Sequence, residues 1–297
     1  MDTHSKNDIK FYLPDFYFKY NLNMALLETI NTNPEYFREN IEIGAVYGSF
    51  PGAIWNGGRL VSGVAFADNI KLTINKFNDL GVPIRFTFTN SLIEEKHLND
   101  TYCNFIMKCA DNGMNEVLVN SPILEEYLRN TYPNYKYVLS TTRCERNPDK
   151  VNEACGKYHL VVTDFRDNHN QSFLDKLLHK EKIELMIDEY CRPDCKLREE
   201  HYRSISQDQL NFEEFSSFKC PYHEHKLSER NANPAIIKVD ELYNEYYNVG
   251  FRNFKIVGRS VPMINVIESY AIYLAKPEFK EEVRYQLTKL LRDNSVV

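Results

Sequence analysis

The sequence lacks long apolar runs and an excess of positive charge, and each absence excludes a class of protein. No stretch of the 297 residues approaches the roughly 18 uninterrupted apolar residues of a membrane-spanning helix. Residues 1–10 are polar and contain no apolar signal region, so we expect a cytoplasmic protein with no membrane partner. The formal net charge of −6 excludes a globally basic nucleic-acid-binding protein, although it leaves room for a local basic patch.

Several motifs of common enzyme classes are also absent. The glycine-rich dinucleotide fingerprint does not follow the first predicted strand, which argues against an open doubly wound sheet. There is no HExxH zinc motif, and no Ser-His-Asp or Cys-His arrangement occurs at a recognisable spacing. No internal repeat or low-complexity tract is evident. A hydrolase would therefore need a geometry that these motifs do not describe.

The sequence does contain a regular alternation of short apolar, β-type segments with helical patterns. Each strand-like segment is followed by a helix or a long loop, which implies right-handed parallel crossovers. Eight such units in one chain predict a closed α/β barrel of the (β/α)8 or TIM type. The predicted strands are residues 41–50, 82–89, 116–119, 135–140, 158–162, 183–187, 235–239 and 254–257.

The predicted barrel domain occupies residues 41–297. Residues 1–40 contain aromatic clusters and helical patterns, and we expect them to form an N-terminal segment packed on the barrel. A long insertion, about residues 196–233, follows the sixth predicted strand. Hydrophobic residues make up 43% of the chain, which is enough for a sizeable core.

Barrel enzymes carry their chemistry at the carboxyl ends of the strands, so the predicted strands define a set of candidate site residues. Polar side chains gather at these ends, as the mouth of a barrel requires. The set is Tyr47, Ser49, Asn90, Asn120, Ser121, Ser140, Thr141, Thr142, Asp164, Arg166, Asp188, Glu189, Cys191, Asp240, Lys255 and Arg259.

Two neighbouring acids, Asp188 and Glu189, follow the sixth predicted strand. Strand neighbours point to opposite faces, so only one of them should face the barrel interior. That carboxylate could act as a general base or bind a substrate cation, or it could simply pair with a base such as Arg259. Gly258-Arg259-Ser260 follows the last strand and opens a helix, a place where barrels often bind phosphate, although a salt bridge fits it equally well.

Cysteines are concentrated directly after these acids. The chain has seven, and an odd number without an export signal does not suggest a disulfide framework. Cys191, Cys195 and Cys220 lie in one loop system and suit either an iron–sulfur cluster or zinc. For a cluster, Cys144 after the fourth strand is the preferred fourth ligand. For zinc, His223 would complete a Cys3His set, and unligated thiols are the third alternative.

The segment Gly250-Phe251-Arg252-Asn253-Phe254-Lys255-Ile256-Val257-Gly258-Arg259 resembles the strand-eight "KIxGR" signature of the collagenase-like peptidase family. Residues 135–142 are similar to that family's strand-four "hLST" segment, and the cysteine loop is similar in position. The resemblance covers roughly residues 82–275. The family includes proteins for oxygen-independent hydroxylation of ubiquinone and of RNA, some with a four-iron four-sulfur cluster on four cysteines.

The resemblance implies that Cys191, Cys195 and Cys220 hold such a cluster and that Lys255 and Arg259 line the site. This chain departs from the family pattern, because its paired cysteines are closer together and no cysteine follows Cys220. Because we expect no counterpart of the carboxy-terminal extension domains of the longer members, the resemblance supports an RNA substrate less than it does for them.

Three functions remain open from the sequence. The first is an iron–sulfur barrel enzyme that performs an oxygen-independent hydroxylation, or a related redox modification, of a small molecule or RNA base with an electron-donor protein as partner. Asp188 or Glu189 would then move protons, and Arg259 with Lys255 would hold an anionic part of the substrate. The second is a peptidase or other hydrolase, and the third is a zinc-binding barrel without catalysis. The helix after Arg259 and the aromatic N-terminal segment are the surfaces where an oligomer would form.

Overall fold

Eight parallel strands close into a barrel in chain order, each paired with its sequence neighbours and the last with the first. The computed structural model describes residues 9–212, 218, 220 and 226–293, apart from the side chain of Glu229. The predicted (β/α)8 fold is confirmed. The strands are β1 Ile9–Pro14, β2 Ile41–Gly48, β3 Ile84–Phe88, β4 Glu116–Val119, β5 Lys136–Leu139, β6 Leu160–Val162, β7 Ile183–Met186 and β8 Asn253–Lys255.

Helices surround the barrel and fill the connections between strands. In the described residues they are α1 Tyr20–Thr32, α2 Ala67–Asp79, α3 Glu95–Leu98, α4 Thr101–Cys109, α5 Pro122–Thr131, α6 Pro148–Cys155, α7 Gln171–Leu174, α8 Arg198–Asn211, α9 Leu227–Ala232, α10 Val239–Glu241, α11 Met263–Tyr273 and α12 Lys280–Asp293. A π-helical turn, Leu242–Tyr246, extends α10. None of the helices in these residues is long and apolar enough to cross a membrane.

Two details of the predicted strand order are wrong. The barrel begins at β1, within the segment assigned to an N-terminal helical and aromatic region, and β1 lies between β2 and β8. Residues 235–238 are not a strand, because β7 pairs directly with β8 and leaves no place between them. Instead the Ile237 N–H donates to the Ile187 carbonyl just beyond the end of β7 (3.0 Å). The predicted number of eight strands is nevertheless correct, because the missed strand β1 offsets the strand wrongly predicted at residues 235–239.

The interior of the barrel is partly charged. The Arg85 side chain is fully buried, its Nε donates to Glu116 Oε2 (2.6 Å), and its Nη1 donates to Glu184. The guanidinium also lies 4.0 Å from the centroid of the Tyr12 ring, whose hydroxyl donates to Asn253 (2.9 Å). Four strands are thus connected through one cation at the amino-terminal end of the barrel.

We expect Arg85→Met to lower the free energy of unfolding by about 3–5 kcal/mol, because it removes the hydrogen-bonded cation of both buried carboxylates and leaves Glu184 with Lys255 alone. The matched control is Lys10→Met. Lys10 is half exposed and pairs with Glu42 at 3.7 Å, so its loss should cost less than about 1 kcal/mol. Urea titration of both variants measures the difference, and equal effects would contradict a structural role for the buried cluster.

Candidate functional site

A cavity opens at the carboxyl end of the strands, where barrel enzymes carry their active sites. Its volume is about 500 Å³ when the opening to solvent is included. The walls come from strand ends, from the loop after β2, and from α8. The lining residues are Tyr47, Gly58, Arg59, Thr87, Thr89, Leu118, Ser140, Thr141, Thr142, Met186, Glu189, Tyr202, Lys255, Val257 and Arg259.

Lys255 stands at the carboxyl end of β8 and borders the cavity. Only 6% of the residue is exposed. Its Nζ lies 3.9 Å from the centroid of the Tyr47 ring and 3.5 Å from Glu184 Oε1. Burial lowers the pKa of Lys255 to about 8, against the opposing effect of the Glu184 carboxylate. The amine is therefore partly neutral near physiological pH, which an exposed lysine is not.

Glu184 connects this amine to the buried charges beneath it. One of its oxygens accepts from Arg85, whereas Oε1 has no hydrogen-bond partner in the described part of the chain. That oxygen lies nearest to Lys255 Nζ. A buried carboxylate with a free lone pair beside an amine can receive a proton from it.

Arg259 is fixed by the loop after β2. Its Nη1 donates to Asn56 Oδ1 (3.0 Å) and to Thr87 Oγ1 (2.8 Å), and its Nη2 donates to the Gly57 carbonyl (2.9 Å). Gly57 has to be glycine, because a Cβ there would lie 2.5 Å from the carbonyl carbon of Thr89. In the described residues no carboxylate lies within 4.0 Å of Arg259, so its charge has no direct counterion.

Glu189 and Arg59 face each other across the cavity wall, with 3.8 Å between Glu189 Oε1 and Arg59 Nη2. The same carboxylate oxygen accepts from the backbone N–H groups of Tyr190 (2.9 Å) and Cys191 (3.1 Å). Arg59 Nε donates to Ser260 Oγ (3.0 Å). This pair balances its own charge. In the described residues Arg259 has no such direct ion pair, although the more distant Asp15 carboxylate acts on its pKa.

Asp188 lies outside the cavity, although it neighbours Glu189 in the sequence. It accepts from the Val257 N–H (2.7 Å) and from Ser269 Oγ (2.7 Å), and Arg230 Nη1 lies 3.9 Å away. Burial raises the pKa of Asp188 to about 6, opposed by the charge of Arg230. The two acids thus separate, and neither pairs with Arg259. Asp188 fixes α9 and α11 to the end of β7.

The predicted metal ligands are brought together only in part. Cys191 and Cys195 are neighbours, and burial raises the pKa of Cys191 to about 12, with the Glu189 carboxylate and the Cys195 thiol adding to the effect. Burial also raises the pKa of Cys144, against the opposing charge of Arg198. Among the described residues, no group of three or more His, Cys, Asp or Glu side chains is arranged to hold a metal ion.

This arrangement does not by itself match the predicted ligand set. A four-iron cluster needs three or four protein ligands, and the described residues supply two neighbouring thiols. Cys220 is described, but the residues on either side of it are not, and His223 lies outside the described residues.

The remaining strand-end candidates divide into two groups. Tyr47, the Ser140–Thr142 segment, Glu189, Lys255 and Arg259 line the cavity. The others do not. Asp164, for example, accepts from its neighbour Arg166 (2.7 Å between Oδ2 and Nη2), and Asp240 lies within α10.

Four of the residues that sequence reasoning missed bear directly on the chemistry of the site. Arg85 and Glu184 carry charges inside otherwise apolar strands, and this conflict with the apolar pattern was a signal for an internal ion pair. Arg59 follows the Asn56-Gly57-Gly58 turn, whose close packing was not evident. Tyr202 lies in the insertion, and no sequence pattern indicated that it reaches the cavity.

The U32 peptidase Mk0906, a solved structure, resembles this chain in fold, with a TM-score of 0.53 and 13% identity over 88% of this chain and 97% of the other. A GH113 beta-1,4-mannanase aligns over 95% and 98% of the two chains with a TM-score of only 0.30 and 10% identity. No family model and no curated protein matches the sequence. The U32 peptidase is of the collagenase-like family that the strand-eight segment resembles, and at this identity the likeness is one of fold.

Proposed function

We propose that this chain is an enzyme that acts on a small anionic carbonyl compound, with the amine of Lys255 as its reacting group. The observation that carries the proposal is a buried lysine at the cavity wall whose pKa burial lowers to about 8. Desolvated lysines of this kind serve as bases and as imine-forming nucleophiles.

The reaction at Lys255 begins with loss of a proton from its ammonium group, and Glu184 Oε1 at 3.5 Å is placed to take it. The nitrogen lone pair then attacks the carbonyl carbon, and one proton passes from this nitrogen to the carbonyl oxygen. Glu184 returns the proton it took to the resulting hydroxyl, which leaves as water, and a protonated C=N bond joins substrate and lysine. The resulting iminium withdraws electrons from the adjacent carbon, where a bond to hydrogen or carbon can then break.

An anionic substrate follows from the charge balance of the walls. Lys255 faces Glu184, and Arg59 faces Glu189, whereas Arg259 has no carboxylate partner in the described residues. An anion in the cavity would supply that partner. The three hydrogen bonds that hold Arg259 keep it in place when the cavity is empty, so little ordering is needed on binding.

An iron–sulfur enzyme remains a second candidate, one that performs an oxygen-independent hydroxylation of a small molecule or RNA base. The adjacent thiols Cys191 and Cys195 favour it, and they lie beside Glu189 of the cavity wall. The cluster type and the hydroxylation reaction are what the sequence resemblance implies. A peptidase activity has no support from the described side chains beyond the likeness of fold.

Reductive trapping tests the Lys255 proposal. Incubation with small 2-oxo acids and cyanoborohydride should convert the imine to a stable secondary amine, seen by mass spectrometry as one adduct on Lys255. Lys255→Met should lose this adduct, whereas Lys157→Met, which changes an exposed lysine, should retain it. Adducts spread evenly over surface lysines, or none at Lys255 with any oxo acid, would contradict the proposal.

The pH dependence follows from the direction of the pKa shift. With a pKa of about 8, roughly one Lys255 amine in ten is neutral at pH 7, against about one in 2,500 for an ordinary lysine. The rate at which a limiting amount of acetylating reagent modifies Lys255 should therefore rise about tenfold from pH 7 to a plateau above pH 9. N-acetyl-lysine amide in the same tube is the standard. A Lys255 profile that follows this standard to pH 10 would show that the amine is not perturbed.

Metal analysis tests the second candidate. Protein purified without oxygen should contain iron and acid-labile sulfide if the cluster prediction holds, and Cys191→Ala should lose both. Cys109→Ala is the matched control, since that thiol lies on α4 away from the cavity. Full iron content in the Cys191→Ala protein would rule out this ligand, and zinc in place of iron would favour the structural site.

A further inference from the structure

Helix α8 lies across the cavity and is held at both ends. Near its start, the Arg198 guanidinium lies 4.4 Å from the centroid of the Phe165 ring, and its Nε lies 3.5 Å from Asp164 Oδ2. Near its end, Gln209 Oε1 accepts from the Val61 N–H (2.9 Å) and from Asn56 Nδ2 (3.0 Å). The helix therefore connects the β6 side of the barrel to the loop after β2.

Tyr202 lies between these two attachments and differs from the other buried tyrosines of the described residues. Ten tyrosines are buried there, and nine donate their hydroxyl hydrogen to a protein acceptor, as buried tyrosines usually do. Tyr202 makes no hydrogen bond within the described part of the chain. The nine are Tyr12, Tyr47, Tyr132, Tyr135, Tyr137, Tyr158, Tyr246, Tyr270 and Tyr273.

The surroundings of Tyr202 explain why it has no acceptor. The residue lines the cavity. Burial raises the pKa of its hydroxyl, the guanidinium groups of Arg198 and Arg59 lower it, and the Glu189 carboxylate adds to the raising effect without accepting a hydrogen bond from it. Tyr202 in turn acts on the pKa of Arg259. Guanidinium groups are donors only and cannot accept the phenolic hydrogen. A neutral hydroxyl donor therefore stands at a cavity wall where, in the described residues, the cations Arg59, Arg198 and Arg259 outnumber the one carboxylate, Glu189.

We propose that Tyr202 binds the substrate by donating a hydrogen bond to an anionic oxygen, carboxylate or phosphate, that faces Arg259. This rests on the proposed function and adds α8 to the site. The anion would satisfy two groups at once, because in the described residues Arg259 has no carboxylate within 4.0 Å and the Tyr202 hydroxyl has no acceptor. The two groups come from different elements, the loop after β8 and α8, and both line the cavity, so the anionic end of the substrate would lie between them.

Reductive trapping on Lys255 with three carbonyl probes tests the proposal. Acetone has no charge, pyruvate carries a carboxylate, and dihydroxyacetone phosphate carries a phosphate. Tyr202→Phe should slow trapping of the preferred anionic probe about ten- to hundredfold, the range for a hydrogen bond to a charged group, and leave trapping of acetone unchanged. Which probe responds identifies the anion.

Tyr135→Phe is the matched control. The Tyr135 hydroxyl donates to the Met107 carbonyl (2.6 Å) outside the cavity, so its loss should lower the unfolding midpoint and leave the probe preference intact. Tyr202→Phe should leave the midpoint unchanged, because no protein hydrogen bond is lost. An unaltered rate ratio of both anionic probes to acetone in Tyr202→Phe would overturn the proposal.

A second measurement separates this proposal from the function on which it rests. If the unmodified protein forms no adduct with any probe, the Lys255 reaction fails, and binding of pyruvate and dihydroxyacetone phosphate to Lys255→Met is measured by calorimetry. If the double variant with Tyr202→Phe binds an anion at least tenfold more weakly than Lys255→Met does, the anion-binding role of Tyr202 is supported independently of the Lys255 reaction. Equal binding, or no binding of either anion, would overturn its role.

Discussion

The structure depends on the charge that Arg85 places inside the barrel. Glu116 and Glu184 enter the interior from β4 and β7, and burial of two carboxylates without a cation would be costly. Arg85 satisfies both with one guanidinium. The second oxygen of Glu184, Oε1, accepts no hydrogen bond from Arg85, and the Lys255 amine lies 3.5 Å from it.

This arrangement accounts for the properties of Lys255. Burial alone would lower the pKa of the amine further, while Glu184 raises it, and the result is a pKa of about 8. Because Arg85 holds part of the Glu184 charge, the carboxylate stabilises the ammonium group only partly. The lysine thus stays between two extremes, a permanent ion pair and a permanently neutral amine. The internal ion cluster is therefore part of the candidate site as well as of the core.

The sequence was sufficient to predict the closed barrel but not to assign each of its strands. Alternation of strand and helix patterns was enough to predict the closed barrel, and Lys255 and Arg259 were correctly expected at its mouth. β1 was missed because its aromatic residues and Pro14 stand next to a second aromatic cluster and a helical pattern, and the whole segment was assigned to a region outside the barrel. Residues 235–239 were misassigned because a short apolar run is common to strands and to buried loops.

Side-chain partners across the barrel were beyond sequence reasoning for a different reason. The bonds from Arg259 to Asn56 and Gly57 join residues about 200 positions apart, and no local pattern encodes them. The same holds for Tyr202, whose position depends on how α8 is attached at Asp164 and Asn56. Charges inside apolar strands were the one local signal of a long-range contact, since such a charge has to find a partner.

The loop after β7 relates the thiol pair to the cavity. Glu189 Oε1 accepts from the Cys191 N–H at 3.1 Å and lies 3.8 Å from Arg59 Nη2. A shift of the backbone at Cys191 would therefore move the carboxylate that balances Arg59. Loss of that balance would leave Arg59 without its carboxylate, which would strengthen the attraction of the cavity for an anion. The charge of the cavity wall and the position of the cysteine loop are thus related through one carboxylate.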